Sequence, residues 1–109
     1  MTATSVHITK IGSGDFLLEP APSLNIRDQS KHIEHITARL LQARATRLYY
    51  DLSGLALIDP LYYAWLDALA RAAQTVNVKM ICINMQPTAA FALAKFLHKM
   101  PVFETAHNI

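Results

Sequence analysis

The stretch RLYYDLSGLALIDPLYYAWLDAL, Arg47 to Leu69, decides how the rest of the chain is read. Its first five residues are rich in β-formers and end on an acid, Asp51, as a buried strand does. A short loop follows, with Ser53 and Gly54, and then Asp59-Pro60. An aspartate before a proline is a helix start: the carboxylate accepts from early backbone N–H groups, and the first helical residue has no use for its own N–H. Leu61, Tyr62, Trp65, Leu66 and Leu69 then recur at helical spacing as a broad apolar side. Ala64, Asp67, Arg71 and Gln74 fall on the wet side, with Asp67 and Arg71 spaced for an ion pair.

Outward from this strand–loop–helix unit, the same alternation repeats. VKMICIN (Val78–Asn84) is a near-continuous apolar run, the pattern of a strand covered on both faces. Gln86-Pro87 opens a third helix in which Ala90, Leu93 and Leu97 point one way and Thr88, Lys95 and Lys99 the other. Pro101 stops it, and VFET is a last short strand. Toward the N-terminus, a first helix is expected from Ile26 or Asp28 to about Ala43. Ile33, Ile36, Leu40 and Leu41 lie on its apolar side; Asp28, His32, His35 and Arg39 lie opposite. SVHITKI alternates as a half-buried strand, and FLLEP is a second, joined through Gly12 and Gly14, which supply positive φ angles. The expected order is β-β-α-β-α-β-α-β, an α/β layered domain over residues 1–109 with a four- or five-stranded mixed sheet.

Composition agrees with a buried core. Of 109 residues, 52% are hydrophobic and 17% charged, which excludes a disordered chain. The net charge of +2 is spread over scattered residues, so nucleic acid is not an expected partner. No apolar run is long enough to span a bilayer, and no signal-peptide pattern opens the chain. Cys82, the single cysteine, sits in an apolar strand and reads as a buried hydrophobe. A reducing cytoplasm is the default location.

Chemistry-bearing patterns are sparse. The glycine pair lacks the lysine and hydroxyl of a phosphate-binding loop. His32 and His35 share a helix side but no third ligand stands at a telling spacing, so a metal enzyme is a remote third reading and no cofactor is expected. Ser53 has no histidine pointed at it and no nucleophile turn around it; a turn hydroxyl is its ordinary role. Asp51, Ser53 and Asp59 do lie at or beyond the C-terminal end of a central strand, where α/β folds place functional groups. Tyr63 and Phe91 fall on helix shoulders, as exposed aromatics at a protein interface do.

The run from Arg47 to Leu97 resembles the STAS domain of anti-sigma-factor antagonists. A strand ending in DLSGL, an ID opening the next helix, another strand, and QP at the following helix carry the resemblance, in that order and spacing. INMQPTAAFALAKFL is similar to the small stressosome-scaffold subgroup. The resemblance implies a non-enzymatic regulatory protein whose partners are a switch kinase (an anti-sigma factor) or a sister STAS domain, with homo-oligomers possible. It also implies a transporter-associated or ligand-sensing STAS module, binding a nucleotide or lipid-linked partner, as the alternative. In much of the family the residue after ID is a serine or threonine that the kinase phosphorylates; here it is Pro60, which cannot accept a phosphate. The implied partner interface is Asp59, Pro60, Tyr63 and Asp67, with Ser53 as a weaker member. The family usually carries one more helix after the last strand, where this chain reads AHNI.

Overall fold

The computed structural model describes residues 6–22, 24–95 and 101–109. Five strands form one sheet in the order β1-β2-β3-β4-β5: Val6–Lys10, Asp15–Pro20, Arg47–Asp51, Lys79–Ile83 and Glu104–Ala106. β1 and β2 are an antiparallel hairpin in which Val6 faces Pro20 and Lys10 faces Phe16. The other neighbours pair in parallel, with Leu17, Tyr49 and Ile81 in register across β2, β3 and β4. Helices α1 (Gln29–Gln42), α2 (Pro60–Thr75) and α3 (Pro87–Ala94) fill the three parallel crossovers, so the expected element order and mixed sheet are what is observed.

Each crossover steps one strand further in the same direction. Right-handed connections then lay all three helices on the same face of the sheet. The core agrees: Ile8, Leu18, Leu48, Tyr50, Met80 and Cys82 from the strands join Ile36 and Leu40 of α1, Trp65 and Leu69 of α2, and Ala89 and Leu93 of α3 in one cluster. Tyr49 and Ile83 are also buried but lie outside that cluster, as strand alternation requires. β4 is therefore covered on both faces only at its C-terminal end, where Ile83 is buried, and not along its whole apolar run. Met80 and Cys82 enter the core, while on the other side Lys79 is exposed and Ile81 only half-buried.

Several boundaries rest on backbone conformation. Gly14 has φ +82° and its carbonyl accepts from the Thr46 and Arg47 N–H groups at 2.7 and 3.1 Å, which ties the hairpin to the start of β3. A Cβ at Gly14 would come within 2.7 Å of Thr46 Oγ1. Gly12, expected to share that role, does not have a positive φ. Arg44 and Asn77 take the left-handed conformation just past α1 and α2. The next residues, Ala45 and Val78, donate back to Leu40 and Ala73 at 3.0 and 2.9 Å, closing both helices as a glycine commonly does.

Other expectations need correction. Leu41 is 61% exposed, because the buried stripe of α1 is narrower than its sequence pattern and runs through Ile36 and Leu40. His32 is half-buried, edge-on to the Trp65 ring at 6.2 Å, whereas His35 is exposed as expected. In α3 it is Ala89, not Ala90, that enters the core with Leu93. β5 begins one residue after the buried Phe103 rather than at Val102. Leu97 and Lys99 lie outside the described residues. Among the described residues no helix is long and apolar enough to cross a membrane.

Candidate functional site

β3 ends on Asp51, and the chain must cross from the sheet to the helix layer within residues 52–59. Asp51 organises the first step: its Oδ1 accepts from the Ser53 N–H at 2.9 Å and from Asn84 Nδ2 at 3.3 Å. The turn bond expected of the Ser53 hydroxyl is thus made by the aspartate, and Ser53 is exposed. Leu55 N–H donates to the Leu52 carbonyl at 3.0 Å and completes the bend. The far side of the loop is held by α3. Gln86 Nε2 donates to the Ser53 carbonyl at 2.7 Å, and Thr88 Oγ1 donates to the Ala56 carbonyl.

The start of α2 is as the sequence implies. Asp59 is extended (φ −89°, ψ 171°), its Oδ1 accepts from the Tyr62 N–H at 2.8 Å, and Pro60 is the first helical residue. Asp59 and Pro60 are exposed. Ile58 is buried, whereas Leu57 before it and Leu61 in the first turn of α2 stand out into solvent at 64% and 40% exposure. Leu61 was expected on the apolar side; it sits in the first turn, at the loop end of the helix, and is a correction. Phe91 is 69% exposed, with Lys95 Nζ 4.7 Å from its ring centroid.

Tyr63 departs from its expectation as an exposed aromatic. It is half-buried, edge-on to Phe103 at 6.0 Å. Burial pushes its hydroxyl pKa up; nearby Asp67 adds to that and Arg71 opposes it. Asp67 is held by Arg71 Nε at 2.9 Å, so its carboxylate is already engaged. The five residues implied as an interface therefore divide. Ser53, Asp59 and Pro60 share the exposed loop and helix entrance, whereas Tyr63 and Asp67 belong more to packing along α2.

Beneath the entrance runs a hydrogen-bonded row. Trp65 Nε1 donates to the Tyr50 hydroxyl at 2.9 Å, and Tyr50 and Tyr62 hydroxyls are 2.6 Å apart. Tyr50 is fully buried, so the proton order that satisfies it is Trp65 to Tyr50 to Tyr62, with the proton of Tyr62 directed outward. Burial, then the neighbouring Tyr62, raises the Tyr50 pKa well above its ordinary value. Burial likewise raises the Cys82 thiol pKa far above the usual range, so this cysteine is a neutral core group, as expected.

A cavity of about 290 Å³ opens beside the loop, lined by Glu19, Leu24, Asp51, Ser53, Leu55 and Tyr62 among others. Its charged lining groups are carboxylates, which repel a phosphate. Among the described residues no group of three or more His, Cys, Asp or Glu is placed to hold a metal ion.

Legible in advance were Asp59, Pro60 and the position of Ser53. Leu57, Gln86 and Thr88 went unrecognised at this site. Gln86 and Thr88 act across more than thirty residues of chain, and no local pattern announces that.

No protein-family profile and no curated protein matches the chain. Solved structures do. A serine-to-glutamate variant of RsbS from Moorella thermoacetica superposes with TM-score 0.75 at 18% identity, covering 97% of this chain and 89% of that one. A chain from a structure of the stressosome, described as a signal integration and transduction hub, gives 0.76 at 17% identity, over 94% and 89%. The anti-sigma factor antagonist SpoIIAA in its unphosphorylated form gives 0.64 at 13% identity, over 95% and 89%. With its five-stranded mixed sheet and three helices in β-β-α-β-α-β-α-β order, this chain has the STAS-domain fold.

Proposed function

We propose that this protein is a non-enzymatic regulatory module of the anti-sigma-factor-antagonist or stressosome-scaffold type, acting through protein–protein contacts at the entrance of α2. The observation that carries the reading is Pro60, the exposed first residue of α2, on a fold shared with RsbS and SpoIIAA. A serine or threonine there would present its hydroxyl at the helix N-terminus. A phosphate on it would meet unpaired backbone N–H groups and the positive end of the helix dipole. Proline removes the hydroxyl and keeps the helix start. Asp59 and Leu61 supply no replacement. Ser53 lies across the loop, close to Asp51, whose charge opposes a phosphate. The protein is thus a constitutive binder at this position, a fixed scaffold or a competitor for a switchable sister domain. The carboxylates in the neighbouring cavity weigh against a nucleotide-sensing role.

The test is incubation with the cognate kinase and ATP, reading intact mass and partner affinity. The expected result is an unmodified protein whose partner affinity does not change. Pro60→Ser is expected to gain one kinase-dependent phosphate. Stoichiometric phosphate on Ser53, Tyr62 or Tyr63 with release of the partner would overturn the reading. An unmodified Pro60→Ser variant would show that the kinase does not dock here.

A further inference from the structure

Helix α3 differs from the other two in having no charged residue between Pro87 and Ala94. The others turn charge to water, with Lys31 and Glu34 exposed on α1 and Arg71 on α2. A helix without a charged side belongs in an interior. α3 is covered on one side only: Ala89 and Leu93 are buried, whereas Ala90, Phe91 and Ala94 are exposed. Ala90 and Ala94, one turn apart, line a groove of about 780 Å³ together with Met85, Leu93, Phe103 and Thr105. The groove is bounded by α3 on one side and β5 on the other.

β5 is the last strand of the sheet, and among the described residues no strand pairs with its far side. Glu104, Thr105 and Ala106 are all exposed. The His107 carbonyl accepts from the Asn84 N–H, just past β4, at 3.1 Å. By strand alternation Thr105 is turned to β4 as His107 is, and the N–H and C=O groups of Glu104 and Ala106 are turned to the open edge. Soluble proteins commonly guard such an edge with a lysine or a proline, and β5 contains neither. Its one charge, Glu104, is held by Lys79 Nζ of the same chain at 3.1 Å. An open ladder edge accepts a strand, and the apolar groove beside it accepts an apolar helix. A second copy of this chain supplies both in matching placement.

We propose that β5 and the groove side of α3 form the interface of a two-fold homodimer, in which β5 pairs antiparallel with β5 of a second copy and the two five-stranded sheets continue as one. The register that uses the whole strand sets Thr105 opposite Thr105 of the second copy, with Glu104 opposite Ala106 on either side. The backbone groups turned outward then bond to one another. The same axis brings the two α3 helices side by side over the joined sheet on their Ala90 and Ala94 sides, where small side chains allow close approach. A foreign strand finds no free charge on β5 to select it, and a foreign helix alone leaves the edge unpaired. The inference goes beyond the regulatory reading and uses none of the residues at the entrance of α2.

Sedimentation velocity of the intact protein over a range of concentrations is expected to show a monomer–dimer equilibrium. Ala106→Pro removes an outward N–H, a change that an edge strand tolerates, and Ala90→Lys sets two like charges beside the axis. Each is expected to weaken the dimer by roughly tenfold or more with an unchanged far-UV spectrum. Leu41→Lys, at an exposed apolar position on α1, is expected to leave the dimer intact. Thr105→Cys reads the register. A residue pair of this kind has Cα atoms about 4.5 Å apart, within disulfide reach. Mild oxidation should therefore link two Thr105→Cys chains, while Leu41→Cys stays unlinked and the buried Cys82 stays reduced. A protein that sediments as a monomer at every concentration overturns the proposal. So does a dimer that survives both Ala106→Pro and Ala90→Lys, or one in which Thr105→Cys links no faster than Leu41→Cys. A failed kinase assay sinks the regulatory reading and leaves the dimer standing.

Discussion

The entrances of α2 and α3 look alike in sequence and work differently in the fold. Both place a proline at the first helical position. At α2 the preceding residue caps its own helix, Asp59 Oδ1 to Tyr62 N–H, and the device is complete within four residues. At α3 the preceding residue, Gln86, makes no side-chain cap bond. Its amide and the hydroxyl of Thr88 instead reach the carbonyls of Ser53 and Ala56, and so fasten the loop that leads into α2. One entrance is built by local physics. The other uses its polar side chains to position its neighbour, and through it the exposed Leu57.

The sharpest way to probe what lies under both is Tyr50→Phe. The ring stays, but Trp65 Nε1 and the Tyr62 hydroxyl lose their shared partner. A buried donor left unsatisfied costs about 1–3 kcal/mol. Urea or thermal melts should show the largest drop of the series. The raised Tyr50 pKa also has a pH consequence. A tyrosine whose folded-state pKa lies above its unfolded value of 10.0 contributes stability that is present below pH 10 and is lost as pH rises further. Parent protein should melt at progressively lower temperature above about pH 10, and Tyr50→Phe should flatten part of that fall.

Next in size is Gln86→Ala combined with Thr88→Val. Two loop-fastening bonds are lost at about 0.5–1.5 kcal/mol each. Hydrogen exchange should quicken at residues 52–57 well before the helices are affected. If exchange there stays slow, the loop is held by its own Asp51 turn and the contrast between the entrances fails.

Asp59→Ala should cost about 1 kcal/mol through loss of the α2 cap. It should leave exchange in the loop near Ser53 unchanged, the reverse of the α3 variant. A melt identical to the parent would mean that Asp59 serves docking rather than capping. Smallest is Pro60→Gly, at about 0.4–1 kcal/mol, mostly through a freer unfolded chain. Circular dichroism should still show a folded domain.

How much was legible follows from where each interaction lies along the chain. The eight elements were readable because hydrophobic period and helix punctuation are local. Val6 and Ile8 alternate, Ile36 and Leu40 recur one turn apart, and Pro60 and Pro87 open helices. The errors fall where burial depends on what stands opposite. Leu41 and Leu61 fit their apolar patterns but lack a facing element, while His32 fits a solvated pattern but meets Trp65. Tyr63 was read as a free aromatic shoulder because Phe103, forty residues on, is not visible as its neighbour in sequence.

The sequence by itself determined that the chain alternates strands and helices, that α2 begins at a capped Asp59-Pro60, and that no hydroxyl stands at that entrance. These are properties of a few adjacent residues and of covalent identity. Only the tertiary structure decided that all three helices share one face, that Tyr50 sits between Trp65 and Tyr62, and that Gln86 and Thr88 fasten the loop leading into α2. Those depend on which strands pair and on side chains that meet across separations of 12 to 33 residues. Close packing settles such contacts for the whole core at once, not segment by segment.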